Sequence, residues 1–301
     1  MQSLDQLNKQ FTIDGAVRFE AGQGGLTRLV VDTPQAQAHV YLLGAHVTHW
    51  QPVGTKPVMF VSEKSWFEQG NSIRGGVPVC YPWFGTNEKD ESLPNHGFAR
   101  LNEWTVQLVT LDPAGRVVIE LSFASNDETK RLWPHDFEVR HTITIGSTLT
   151  MALKTRNTGR SPFTITEALH TYFLVSDVKQ VSVAGLEGVQ YLSKVEGGTY
   201  TQPDEPIQFT QQTDRVYNNT VAPCMLHDPS WDRLITIDKA GSASTVVWNP
   251  WTEKAAAMPD FGDDEWPNMV CIETANALSD AVTVEPGATH EMQATLAVQQ
   301  R

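Results

Sequence analysis

The sequence predicts an all-β protein, a large antiparallel β-sandwich, on three observations. Apolar residues recur with a period of two in one segment after another. No helical period is sustained over about fifteen residues, and Gly, Pro, Asn and Asp punctuate the gaps. Strands that follow one another in this way pair antiparallel and pack face to face, whereas βαβ units would alternate strand and helix periods.

Taken from the N-terminus, residues 1–10 (MQSLDQLNKQ) hold few β-formers and no strong cap, and read as a short helical or irregular lead-in. Strand candidates follow at 26–31, 37–43 and 104–111, and GAHVTHW also reads as strand. Val117, Ile119, Leu121 and Phe123 alternate with Val118, Glu120 and Ser122. Phe137, Val139, Ile143 and Ile145 alternate with Glu138, Arg140, Thr142 and Thr144, so both segments are half-buried strands. Leu149, Met151 and Leu153 resume the pattern after Gly146-Ser147, which predicts a hairpin across 146–148. Further strands are expected at 163–174, 234–238, 245–248 and 269–276, and Met292, Ala294, Leu296 and Val298 close the series. With no internal repeat and no Ser/Pro-rich linker, residues 1–301 are expected to form a single domain.

Composition narrows the function. Of 301 residues 40% are hydrophobic, enough for a substantial core, and the 19% that are charged are too few for long disorder. Lys and Arg number 22 against 35 Asp and Glu, a net charge of −13, which disfavours a nucleic-acid partner while leaving room for local basic pockets. Cys80, Cys224 and Cys271 are odd in number, widely spaced and free of any CxxC, so a reduced, cytoplasmic protein is expected. The first thirty residues hold no basic segment followed by an apolar run, and no stretch has the length of a membrane span; the expectation is a soluble, unsecreted protein.

Three places concentrate chemistry. In residues 71–100, Arg74 precedes Gly75-Gly76 and an apolar run. Asn95, His96 and Arg100 then fall within six positions. Two guanidiniums grip a phosphate or carboxylate with paired hydrogen bonds, although each could instead pair with one of the acidic residues. In 163–174, Phe163, Ile165, Leu169 and Phe173 share a face interrupted by Glu167, while Thr164, Thr166, Ala168, His170 and Tyr172 share the other. That second face would suit a sugar-sized ligand. His170 titrates near neutrality and could move a proton, or simply cap a carbonyl. Glu273 stands in the apolar run 269–276, where an ionised carboxylate needs a partner, either a ligand or a cation such as Arg74. Asp214-Arg215 and the tryptophans around 248–251 add polar and aromatic surface without identifying a function.

GxGxxG after a strand, GxxxxGK[ST], HExxH and GxSxG are all absent, which leaves nucleotide, zinc-hydrolase and serine-hydrolase readings without support. His46 and His49 have metal-like spacing only on a helix. In a strand they point to opposite faces, so no metal is expected.

Taken together, GAHVTHWQP, IRGGVPVCYPWFG, NHGFAR, ALHTYF, TDRVY, VVWNP and CIETANA resemble the hexose-6-phosphate mutarotases, or glucose-6-phosphate 1-epimerases, of the aldose 1-epimerase superfamily. The motifs run in family order over most of the chain, from about residue 44 to residue 276. The resemblance implies a β-sandwich of the galactose mutarotase type, no cofactor, and interconversion of the α and β anomers of a sugar phosphate, with a monomer expected. It implies that Glu273 is the base taking the O1 proton and His170 the acid protonating the ring oxygen. It also implies that Arg74, Asn95, Arg100 and Asp214 bind substrate, the arginines at the 6-phosphate and Asp214 at hydroxyls, with His96 substrate-facing or just behind. The chain departs from the family pattern at Asn95, where Gln is usual; the side chain is one methylene shorter, a gap that a water would bridge. Two alternatives stand beside this reading: an aldose 1-epimerase for unphosphorylated sugars, and a non-catalytic carbohydrate-binding protein.

Overall fold

Period-two patterning sends alternate side chains to opposite faces of a strand, and the strands of this chain bury one such face against another sheet. The computed structural model describes residues 2–300. Its largest layer is a nine-stranded antiparallel sheet, in the order Ile207–Gln208, Ser182–Ala184, Cys224–Asp228, Arg233–Ala240, Thr289–Gln300, Thr148–Asn157, Phe137–Ile145, Val117–Ala124 and Thr105–Leu111. The predicted hairpin joins Phe137–Ile145 to Thr148–Asn157.

The facing layer is an eight-stranded sheet, in the order Thr199–Thr201, Gln190–Ser193, Thr213–Asn218, Ser244–Asn249, Met269–Asn276, Glu167–Leu169 and Val79–Cys80, with Tyr172–Leu174 also paired to Met269–Asn276. Ile119, Leu121, Val139, Ile143, Leu153 and Met292 from the first sheet and Val270, Ile272 and Phe173 from the second belong to one continuous buried cluster. Fully burying each such side chain contributes about 1.5–3 kcal/mol. A four-stranded sheet, Val17–Ala21, Thr27–Asp32, Ala36–Tyr41 and His46–Pro52, precedes both, and Phe163–Ile165 pairs with Val282–Val284.

Two expectations need correction. Residues 163–174 form not one strand but three, Phe163–Ile165, Glu167–Leu169 and Tyr172–Leu174. The segment changes partners along its length: Phe163–Ile165 pairs with Val282–Val284, Glu167–Leu169 lies between Met269–Asn276 and Val79–Cys80, and the ladder to Met269–Asn276 is interrupted where Thr171 N–H donates to the Leu169 carbonyl (2.9 Å). The N-terminal segment, read as lacking a strong cap, is a helix over Leu4–Phe11 with a complete capping box. Ser3 Oγ accepts from Gln6 N–H and the Gln6 side chain accepts from Ser3 N–H.

Glu167, which breaks the apolar face of its segment, is fully buried and meets His290 Nε2 at 3.4 Å. The two histidines of GAHVTHW part as a strand requires. His46 is buried and hydrogen-bonds the Gly75 carbonyl at 2.6 Å, whereas His49 packs on His39 with ring centroids 5.0 Å apart. Cys80, Cys224 and Cys271 are all buried free thiols. Among the described residues no helix is long and apolar enough to cross a membrane.

Candidate active site

Residues directly opposite in an antiparallel ladder project to the same face, so the register of the eight-stranded sheet dictates what meets on it. Asp214, Trp248, Cys271 and Tyr172 form one row across four strands, and Val216, Val246 and Glu273 form a neighbouring row. Leu169 opposite Thr274 and Tyr172 opposite Cys271 keep a single register, which sets His170 opposite Glu273 although the ladder is interrupted there. The two side chains approach to 3.3 Å, Nε2 to Oε1. Below His170 the Tyr172 ring lies nearly parallel, centroids 4.8 Å apart, and Trp248 closes one side edge-on at 6.1 Å.

Above this floor opens a cleft of about 830 Å³, lined by Arg74, Phe84, Asn95, His96, Thr166, His170, Tyr172, Lys194, Asp214, Trp248, Lys254 and Glu273, among others. Arg74 enters from a corner that only glycine permits. At Gly75 φ is +114° and a Cβ would lie 2.4 Å from the Phe60 carbonyl oxygen, while at Gly76 a Cβ would lie 2.3 Å from that of Val47. The guanidinium donates from Nε and Nη2 to Asp260 (3.1 and 3.2 Å) and from Nη1 to the Tyr172 hydroxyl (3.0 Å). Although burial works against its charge, Tyr172 and Asp260 raise its pKa above the usual arginine value.

Burial decides the ionisation of the central pair. It pushes the Glu273 carboxyl well above the usual carboxylate range, against the pull of Lys194 and with reinforcement from Asp214. It pushes His170 well below the usual imidazole range, assisted by the charges of Arg100 and Arg74. Burial thus disfavours the charged form of each group, and the two can share a proton across their 3.3 Å contact. Moving that proton between Glu273 and His170 exchanges nothing with solvent. Neither Glu273 Oε2 nor His170 Nδ1 has a hydrogen-bond partner.

The structure brings His170, Glu273, Arg74, Asn95, His96 and Asp214 to one cleft. His96 takes a left-handed backbone, φ +61°, its Nδ1 accepts from Gly85 N–H (3.1 Å), and its ring stands edge-on to His170 at 5.6 Å. Asp214 carries a carboxylate raised by burial, against the pull of Lys194 and Lys254. Arg100 does not line the cleft: its Nη2 donates to the Asn95 carbonyl at 2.7 Å, so it braces the Asn95 segment while its charge reaches His96 and His170. Arg74 is thus held by Asp260 and Tyr172, and Arg100 by the Asn95 carbonyl with its Nε buried and without a partner.

Lys194 was not singled out from the sequence. It stands over the Phe84 ring (4.7 Å to the centroid) and forms no ion pair among the described residues, as is also true of Lys254. A lysine before the Gly197-Gly198 turn reads as a solvated hairpin charge, and only the Gln190–Ser193 to Thr213–Asn218 pairing turns it toward the cleft. Asp260, the partner of Arg74, lies 186 positions away and carries no motif signal. The donor atoms of His170, Cys271 and Glu273 lie within 4.8 Å of one another, a set able to hold a metal ion.

Comparison with known proteins gives the family. The family model "Aldose 1-epimerase" matches residues 27–297. An Escherichia coli K12 protein named "Putative glucose-6-phosphate 1-epimerase" is 38% identical over 253 residues, 84% of each chain. A protein of the same name from Cenchrus ciliaris is 36% identical over 259 residues, 83% of this chain and 78% of its own. The crystal structure of a "putative mutarotase (YeaD)" from Salmonella typhimurium superposes with a TM-score of 0.90 at 32% identity, covering 97% of this chain and 96% of its own. A galactose mutarotase related enzyme from Lactobacillus acidophilus shares the fold, with a TM-score of 0.73 at 14% identity over 90% of this chain and 97% of its own.

Proposed function

This chain belongs to the aldose 1-epimerase family, and we propose that it interconverts the α and β anomers of hexose 6-phosphates, with glucose 6-phosphate as the preferred substrate. The observation that carries the reading is the His170–Glu273 pair, 3.3 Å apart at the floor of a cleft whose walls supply cations from an otherwise acidic chain.

The proposed reaction starts from the single proton of the pair. Hydrogen bonds from sugar hydroxyls stabilise the Glu273 carboxylate, and the proton passes to His170. Glu273 then takes the proton from the anomeric O1 hydroxyl as His170 protonates the ring oxygen. The C1–O5 bond breaks, O1 becomes the aldehyde oxygen, the C1–C2 bond rotates, and closure on the other face returns both protons. Each proton transfer contributes roughly 10²- to 10⁴-fold. Trp248 and Tyr172 exclude water and offer apolar surface to the C–H face of the ring, and Asp214 accepts from sugar hydroxyls.

For the 6-phosphate, three of the five Arg74 N–H donors are engaged by Asp260 and Tyr172, leaving two free. Lys194 adds an unpaired ammonium, and Arg100 acts through its charge and through Asn95. The protein is proposed to act as a monomer in the cytoplasm, where its three buried thiols stay reduced.

The test is the equilibration of freshly dissolved α-glucose 6-phosphate, followed by NMR. Acceleration over buffer is expected, with His170→Ala and Glu273→Ala each losing roughly 10²- to 10⁴-fold while remaining folded. No acceleration rejects the function, and equal turnover of free galactose would favour the neutral-sugar alternative.

A further inference from the structure

The cleft floor carries a sulfur that the proposed reaction does not use. Cys271 sits between Trp248 and Tyr172 in the register row, two positions before Glu273 on the same strand and therefore on the same face. Its Sγ, a ring nitrogen of His170 and a carboxylate oxygen of Glu273 lie within 4.8 Å of one another. His170 Nδ1 and Glu273 Oε2 are buried without partners, so the cleft floor has unsatisfied polar atoms. Thiolate, imidazole and carboxylate form a donor set for zinc, whose bond lengths space tetrahedral donors roughly 3.3–3.6 Å apart. The three groups reach that spacing by shifts of about an ångström. Hard cations such as magnesium and calcium prefer oxygen donors throughout and find no such shell here.

We propose that His170, Cys271 and Glu273 form a binding site for a thiophilic divalent cation of the zinc class, and that the bound cation inhibits the enzyme. Binding breaks the Cys271 S–H bond and makes an S–metal bond. The thiol proton and the proton shared by His170 and Glu273 leave to solvent, and no electrons are transferred. A water from the cleft completes the tetrahedron. Burial keeps the Cys271 thiol protonated in the metal-free state, so proton release on binding is measurable. Inhibition rests on the epimerase reading, because the cation occupies the acid and the base; binding itself does not depend on that reading.

The experiment uses the metal-free protein with Co²⁺ as the probe. A thiolate-to-cobalt charge-transfer band in the near ultraviolet is expected for the wild type and for the double variant Cys80→Ala/Cys224→Ala, in which Cys271 is the sole thiol. It is expected to be absent in Cys271→Ala. Zinc should then inhibit anomerisation reversibly, with EDTA restoring it, and Cys271→Ala should need at least about a hundredfold more zinc. A folded wild type without the band overturns the site, as does equal zinc inhibition of wild type and Cys271→Ala. Should Cys271→Ala fail to fold, loss of the band in the double variant overturns it instead. A band in a protein that anomerises no hexose phosphate would sink the functional reading and leave the metal site standing.

Discussion

His141 provides a quantitative test of how this core treats ionisable groups. It stands on the strand Phe137–Ile145 opposite Leu153 of Thr148–Asn157, and its ring is fully buried. Nδ1–H donates to the Ala45 carbonyl at 3.2 Å, and Nε2 has no partner. Burial lowers its pKa from 6.5 to about 4, outweighing the Ala45 hydrogen bond. Between those values the unfolded chain binds a proton that the folded chain refuses, so stability rises with pH through the window and is lost as pH falls. Linkage across it, from about pH 7 to about pH 5, removes about 2 kcal/mol at this one group. His141→Asn keeps the donor to Ala45 but cannot be protonated. The variant should be less stable at both pH values because of the space it leaves. Its drop between them, measured by urea unfolding, should be smaller than the wild-type drop by about 2 kcal/mol. Identical pH dependence in the two proteins would refute the reasoning.

Other consequences follow from the cleft. Lys194→Met should lower kcat/KM for hexose 6-phosphates by about tenfold to a hundredfold, the loss of one charge-assisted hydrogen bond, and leave any turnover of free sugars unchanged; steady-state comparison of the two substrate classes checks this. Gly75→Ala must move either Phe60 or the Arg74 corner, and strain on the order of 1–3 kcal/mol should appear in thermal unfolding together with weakened substrate binding. The pH–rate profile should be bell-shaped, because the pair needs its single proton. A second proton at low pH removes the base and loss of the first at high pH removes the acid, and a profile flat from acid to alkaline pH would exclude the pair as the proton carrier.

The strands were legible where one face is buried and the other solvated. Ile119 and Leu121 face the core while Val118, Glu120 and Ser122 do not, and period two records that difference directly. It failed over 163–174 because nothing local marks the break. Phe163–Ile165 pairs with Val282–Val284 whereas Glu167–Leu169 pairs with Met269–Asn276 and Val79–Cys80, all distant segments, and Thr171 N–H turns back to the Leu169 carbonyl. Glu167 was the visible irregularity, and its explanation, His290, lies on the last strand. In the site, His170 stood out as the imidazole on the polar face of its segment and Glu273 as a carboxylate in an apolar run, Arg74 and Arg100 stood out beside Gly75-Gly76 and His96, and the family motifs gave Asp214 a role. Lys194 and Asp260 were invisible for a physical reason: a charge beside a turn looks solvated until the sheet that orients it has been assembled.

The interruption at His170 also separates catalysis from the integrity of the sheet. In an unbroken ladder Thr171 would donate its amide across to Ile272. Here Thr171 N–H donates to the Leu169 carbonyl, while the Thr171 carbonyl still accepts from Ile272 N–H and His170 N–H keeps the ladder to Val79–Cys80 through the Pro78 carbonyl. Every one of those bonds belongs to the backbone and persists whatever side chain stands at 170. The flanking pairs, Leu169 with Thr274 and Tyr172 with Cys271, hold the register on either side, so Glu273 remains opposite the gap. Truncating the imidazole should therefore remove the acid without slipping the strand. The partner carboxyl, already pushed toward its neutral form by burial, would not be left as an uncompensated internal charge.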